Sequence, residues 1–145
     1  MRTVFLRHTG PYAEVGATWS RLMVWAGSRG LLSPGMRLIG IVHDDPDVTP
    51  PDKVRYDAAV TVNRPVEPEG EIGVMEIPGG RFAVAVHLGP YSELGKAYQR
   101  LYGGWLPGSG YRLRDVPAFE QYLNSPNQTP PAELQIICLW IRNSL

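Results

Sequence analysis

The sequence predicts an α+β domain made of two tandem copies of one strand-helix-strand-strand module, and three observations predict it. His8-Thr9-Gly10-Pro11-Tyr12-Ala13-Glu14-Val15-Gly16 returns 79 residues later as His87-Leu88-Gly89-Pro90-Tyr91-Ser92-Glu93-Leu94-Gly95, identical at six of nine positions. The apolar positions that follow, Val15, Trp19, Leu22, Met23 and Ala26, recur at the same offset as Leu94, Tyr98, Leu101, Tyr102 and Trp105. Thr49-Pro50-Pro51 is echoed by Thr129-Pro130-Pro131. Two copies are too few to stack as an array. One domain, 1–145, is therefore expected, with repeat one at 1–64, a Pro-rich linker at 65–70 and repeat two at 71–145.

Each element has a local reason. Residues 3–8 are short, apolar and rich in β-formers, and they break at Gly10-Pro11. Gly10 can cap a helix and Pro11 suits its first position, where a missing N–H costs no hydrogen bond. Val15, Trp19, Leu22, Met23 and Ala26 then mark one face of that helix, and Gly30 ends it. Residues 37–43 and 57–62 read as strands, separated by Asp44-Asp45-Pro46-Asp47-Val48-Thr49-Pro50-Pro51, which is too rich in proline for regular structure. In the second copy, 71–77 and 82–87 read as a hairpin across Pro78-Gly79-Gly80. A helix starting at Gly89-Pro90 runs to the break at 107–110, and 116–123 and 134–141 are strands around a second Pro-rich loop. The leading strand 71–77 has no counterpart in the first copy. That copy is expected to leave a sheet edge open, to be paired by a second chain, as a homodimer, or by the C-terminal tail.

Composition narrows the function. With 43% hydrophobic and 19% charged residues the chain is ordinary for a globular protein. Fourteen basic residues balance fourteen acidic ones, so no basic field advertises nucleic acid or an anionic membrane. A single cysteine, Cys138, excludes an internal disulfide, and with no leader recognised a cytoplasmic location is expected. No apolar run approaches the roughly 20 residues that span a bilayer.

Glu120 is the sharpest candidate residue. It sits inside the apolar run Phe119-Glu120-Gln121-Tyr122-Leu123, and strand alternation puts it on the face of Tyr122, opposite Phe119, Gln121 and Leu123. A carboxylate there is costly to desolvate unless a donor or a cation meets it. Trp19, Tyr98, Tyr102, Trp105 and Tyr122 could wall a cavity through stacking and cation–π contact, although helical spacing fits core packing equally. Trp25 falls off the apolar stripe and either rims a groove or covers the helix end. His8, His43 and His87 are spread over separate positions, so neither they nor Asp44, Asp45 and Asp47 read as a metal site. Cys138 reads as an inert thiol in an apolar strand. No cofactor-binding loop is present, because Gly79-Gly80 precedes a strand where a phosphate cradle would precede a helix.

The repeated His-x-Gly-Pro-Tyr turn, His43-Asp44-Asp45-Pro46, the Thr-Pro-Pro loop and Phe119-Glu120-Gln121-Tyr122-Leu123-Asn124 together resemble the GyrI-like small-molecule-binding superfamily. It includes effector-binding domains of AraC-type and MerR-type multidrug-responsive transcription regulators, stand-alone DNA gyrase inhibitory proteins and cyclopropanoid cyclopropyl hydrolases. The resemblance covers essentially the whole chain. It implies two modules related by a pseudo-twofold axis, a curved antiparallel sheet, two long helices and a central groove between the repeats. It also implies that Glu120, helped by Tyr122, Trp19, Tyr98, Tyr102 and Trp105, binds a lipophilic, cationic or aromatic small molecule. No helix-turn-helix accompanies the domain, so direct contact with nucleic acid is not expected. The alternatives are hydrolysis of a strained electrophile, with Glu120 as the catalytic group assisted by Tyr122 or Tyr98, and inhibition of DNA gyrase by contact.

Overall fold

The structure, a computed structural model, describes residues 1–45, 48–80, 82–90, 93–113 and 117–124, together with the backbone of 135–144. The chain divides into two compact units, Met1–Gly79 and Gly80–Leu145. Both combine antiparallel strands with helix, so the fold is α+β.

The first unit runs β1 (Arg2–Thr9), α1 (Val15–Ser28), β2 (Leu38–Val42), β3 (Arg55–Thr61) and β4 (Ile72–Glu76). Its strands lie in the order β4-β1-β3-β2, all neighbours antiparallel. The β1–β3 register sets Val4 across from Val60 and Leu6 across from Ala58. Alternation therefore gives these strands one continuous apolar face. Leu22 and Ala26 of α1 are fully buried in the same cluster, with Leu31, Tyr56 and Ile72. The apolar stripe read from the sequence is the stripe that packs, since Val15, Trp19 and Met23 border this core.

The termini of α1 follow backbone chemistry. Residues Tyr12–Glu14 form a 3-10 turn ahead of the helix and Pro11, with ψ of 136°, precedes it. Regular α-helix thus begins four residues later than Pro11 suggested. The Pro11 carbonyl accepts from the Glu14 N–H and from His8 Nε2, at 3.0 and 2.9 Å, and the His8 ring reaches Thr18 Oγ1 with its other nitrogen at 3.1 Å. At the far end Gly30 takes φ +67°, and the Leu31 N–H returns to the Ala26 carbonyl at 3.0 Å. That is the left-handed glycine closure expected there.

β4 corrects the expected hairpin between 71–77 and 82–87. It pairs with β1, Val4 opposite Val74, and serves the first unit. The edge on which a second chain or the C-terminal tail was expected is thereby filled within the unit. Its Gly73 lies across from Phe5, and the aromatic ring covers the place of a side chain there. The N-terminal ammonium ties this strand down by bonding Glu76 and the Ile77 carbonyl.

The second unit runs β5 (Phe82–Leu88), α2 (Leu94–Gln99), β6 (Tyr111–Leu113), β7 (Ala118–Tyr122) and β8 (Gln135–Ser144). β8 pairs antiparallel with β5 and β7, and its end pairs with β6. The second helix is shorter than the sequence implied: after Gln99 the backbone widens into a π turn over Arg100–Trp105. Gly103 and Gly104 lie in that turn, where glycine is poor helix material, and Pro107 follows. The short strand β6 was not foreseen in the run 107–115, whose glycines and arginines carry no strand period. The second Thr-Pro-Pro loop and the side chain of Cys138 lie outside the described residues. Among the described residues no helix is long and apolar enough to cross a membrane.

Candidate functional site

The second unit places α2 over one face of its sheet. Leu94 and Ala97 are buried there, and Tyr98, Leu101 and Tyr102 pack with Ala83, Ala85, Ala118 and Tyr122. Glu120 lies in the middle of β7 and is 1% exposed.

Its carboxyl oxygens are met one each by two hydroxyls. Tyr98 Oη donates to Oε1, and Tyr122 Oη donates to Oε2 at 2.9 Å. Tyr122 reaches it because residues two apart share a face of a strand. Tyr98 reaches it from the helix above. Tyr102, one helical turn on, stacks on Tyr98 with ring centroids 6.2 Å apart and planes within 10°. Burial pushes the Glu120 carboxyl above its ordinary value, and the two hydroxyl bonds, which favour the charged form, offset only part of that rise. Among the described residues no cationic side chain bonds Glu120.

Four of the six expected site residues, Glu120, Tyr122, Tyr98 and Tyr102, therefore come together. Trp105 instead stacks on Tyr111, centroids 6.4 Å apart and planes within 15°, and is 44% exposed. Trp19 belongs to the first unit, where its indole N–H donates to Tyr56 Oη at 3.1 Å and its ring borders the core. Trp25 covers the helix end: its N–H donates to Glu69 and the Arg29 guanidinium lies 5.6 Å over its ring.

A second buried acid, Asp57, was not singled out from the sequence. It is 1% exposed in β3. Arg7 donates to it from Nε and Nη2 at 2.8 and 3.1 Å, and His43 Nε2 donates to Oδ2 at 2.7 Å. Burial pushes this carboxyl up, but the bonds from His43 and Arg7 outweigh that and hold it below its ordinary value. The signal was available, since Asp57 interrupts an apolar strand just as Glu120 does. His43 is thus engaged by Asp57, and Asp44 is held by Arg55. His87 donates to the Pro90 carbonyl at 3.0 Å.

A helix-covered antiparallel sheet with a few polar groups set among aromatic rings is the make-up of a ligand-binding α+β domain. The chain belongs to the GyrI-like family, whose small molecule binding domain model matches residues 1–142. It is 34% identical over 130 residues to a DNA gyrase inhibitor of Escherichia coli strain K12, covering 86% of this chain and 81% of that protein. It is 32% identical over 108 residues to the probable transcriptional regulator YgiV of the same strain, covering 72% of this chain and 67% of YgiV. Among solved structures, the EcmrR C-terminal domain superposes with a TM-score of 0.79 at 20% identity, over 99% of this chain and 92% of that one. In the DNA-bound complex of EcmrR the match covers 54% of the regulator, so this chain spans about half its length.

Proposed function

We propose that the protein is a receptor for lipophilic cations and flat aromatic compounds, with Glu120 supplying charge and Tyr98, Tyr102 and Tyr122 supplying ring surface. Membership of a small-molecule-binding family supports ligand binding in general. The observation that carries the finer reading is the contrast between the two buried acids. Asp57 is neutralised by the Arg7 guanidinium and also bonded by His43, whereas Glu120 is met by hydroxyls alone among the described residues. Removing a carboxylate from water costs several kcal/mol, and hydrogen bonds to a charged group return about 1.5–3 kcal/mol each. A ligand cation beside Glu120 supplies the missing compensation, and the tyrosine faces attract the same cation through their quadrupoles. Trp105 and Tyr111, stacked and partly exposed, offer further aromatic surface.

The reading of the chain as a duplicated module is supported by strand order. In the first unit β1 and β2, the strands on either side of the helix, flank β3; in the second β5 and β7 flank β8, with the short β6 intervening in sequence between α2 and β7. A thermal-shift screen of the wild type and Glu120→Gln against lipophilic cations and neutral aromatics, with each hit checked by mass for conversion, tests the receptor reading. It expects stabilisation by cations that the variant loses, without product. Equal responses from both proteins would remove Glu120 from the site, and product would make the protein a hydrolase.

A second reading, inhibition of DNA gyrase, rests on the relative of that name. A supercoiling assay with purified gyrase tests it: loss of supercoiling at stoichiometric protein supports it, and unaltered supercoiling overturns it.

A further inference from the structure

We infer that cation capture by this domain is a proton exchange, in which Glu120 gives up one proton to solvent for each cation that takes its place. This rests on the receptor reading above. Before the cation arrives, the side chain is 1% exposed and its two oxygens meet only the hydroxyls of Tyr98 and Tyr122 among the described residues. A hydroxyl both donates and accepts. The same pair therefore serves either state: both donate to a carboxylate, or one accepts the O–H of the neutral acid while the other donates.

Among the described residues no other charged side chain bonds Glu120. β7 carries no titratable residues besides Glu120 and Tyr122. On α2 the charged side chain is Lys96, which is exposed, and in the turn that follows Arg100 bonds back to the Lys96 carbonyl. On β5 the buried His87 spends Nε2 on the Pro90 carbonyl. On β8 Cys138 holds the register position opposite Glu120, and the charged residue of that strand, Arg142, stands four positions further on, across from Leu113. Burial favours the neutral acid, as the rise in the Glu120 carboxyl indicates.

The exchange balances. The Glu120 O–H bond breaks, its electron pair stays on the carboxylate oxygen, and the proton passes to water or buffer as the ligand's positive charge enters. The site carries the same net charge before and after. Desolvation, which makes a bare carboxylate costly, is avoided at both ends. Below the pKa of Glu120 in the free protein, affinity rises about tenfold per pH unit, and above it affinity levels off.

The test titrates the whole chain with tetraphenylphosphonium, a cation with no proton of its own, from pH 5 to 9 in paired buffers of different ionisation heat. The Glu120 carboxyl is followed in the free protein by 13C NMR. The exchange predicts close to one proton released per cation on the acid side of the carboxyl midpoint. It also predicts a Kd that falls tenfold per pH unit there, and release that fades to zero above it. Wild-type binding with a flat Kd and no proton release overturns the exchange and leaves the receptor reading standing. A carboxyl midpoint at or below the ordinary 4.5 also overturns it. Absence of wild-type binding at every pH overturns the receptor reading and the exchange with it. Glu120→Gln is expected to bind weakly and release nothing; undiminished release from that variant would assign the proton to another group.

Discussion

The hydroxyl of Tyr122 donates to Glu120 Oε2 at 2.9 Å from two positions along the same strand. One strand thus carries both the acid and one of the donors that hold it. Removing that donor by Tyr122→Phe takes away a bond that favours the charged form, so the Glu120 carboxyl moves further up. Cation affinity at neutral pH should fall about tenfold to a hundredfold, from roughly 1.5–3 kcal/mol per hydrogen bond to a charged group. Calorimetric titration of the variant checks this, and Tyr98→Phe should behave alike.

Glu120 also sets a pH dependence of stability. Its folded pKa is raised above the ordinary 4.5. The folded state therefore holds the proton more tightly, and stability is fully present below 4.5 and lost as pH rises through the folded value. Glu120→Gln removes that loss. Its melting temperature should exceed the wild type's on the alkaline side and match it below pH 4.5. A pH series of thermal melts without ligand reads both arms.

Asp57 has the opposite sign. Its folded pKa is lowered from 3.8, so its contribution is present above 3.8 and lost as pH falls through the lower folded value. Asp57→Ala leaves Arg7 and His43 without their acceptor and should cost about 3 kcal/mol, the lower end for breaking a buried pair, since Arg7 is half exposed. Denaturant unfolding at pH 7 measures it. Cation binding at Glu120 should survive in the fraction that folds.

Gly73 tests the β1–β4 pairing. A methyl group there meets the Phe5 ring at 2.6 Å, so the ring must turn aside. Gly73→Ala should destabilise the chain by about 1–3 kcal/mol, and Phe5→Leu in the same chain should recover part of it. A pairing of 71–77 with 82–87 would leave Gly73→Ala without effect.

Much of this molecule is legible in its amino-acid sequence. The helix stripe through Val15, Trp19, Leu22, Met23 and Ala26 has a period that only a helix satisfies, and Leu22 and Ala26 are buried as it demands. Glu120 was legible because a charge inside an apolar strand needs an explanation, and period two already put it beside Tyr122. The partner of β4 was not legible, because period two says which face a strand buries and not which neighbour it takes. Adjacency in sequence pointed to β5, while the apolar face of β1 claimed it. Trp19 and Trp105 show the complementary limit. Helical spacing fits both core and cavity wall; within its own unit Trp19 bonds Tyr56, and Trp105 stacks on Tyr111. Asp57 carried the signal of Glu120, but its hydrogen-bond partners come from positions 7 and 43, which no local pattern joins.

On the receptor reading, Glu120 is expected to select ligands by the sign of their charge. Tetraphenylphosphonium and tetraphenylborate share shape and apolar area and differ in sign. Calorimetric titration of the wild type and Glu120→Gln with each ion therefore isolates the charge. The wild type is expected to bind the cation and not the anion, and Glu120→Gln to lose the preference. Equal binding of both ions by the wild type, or a preference that survives in Glu120→Gln, would contradict it.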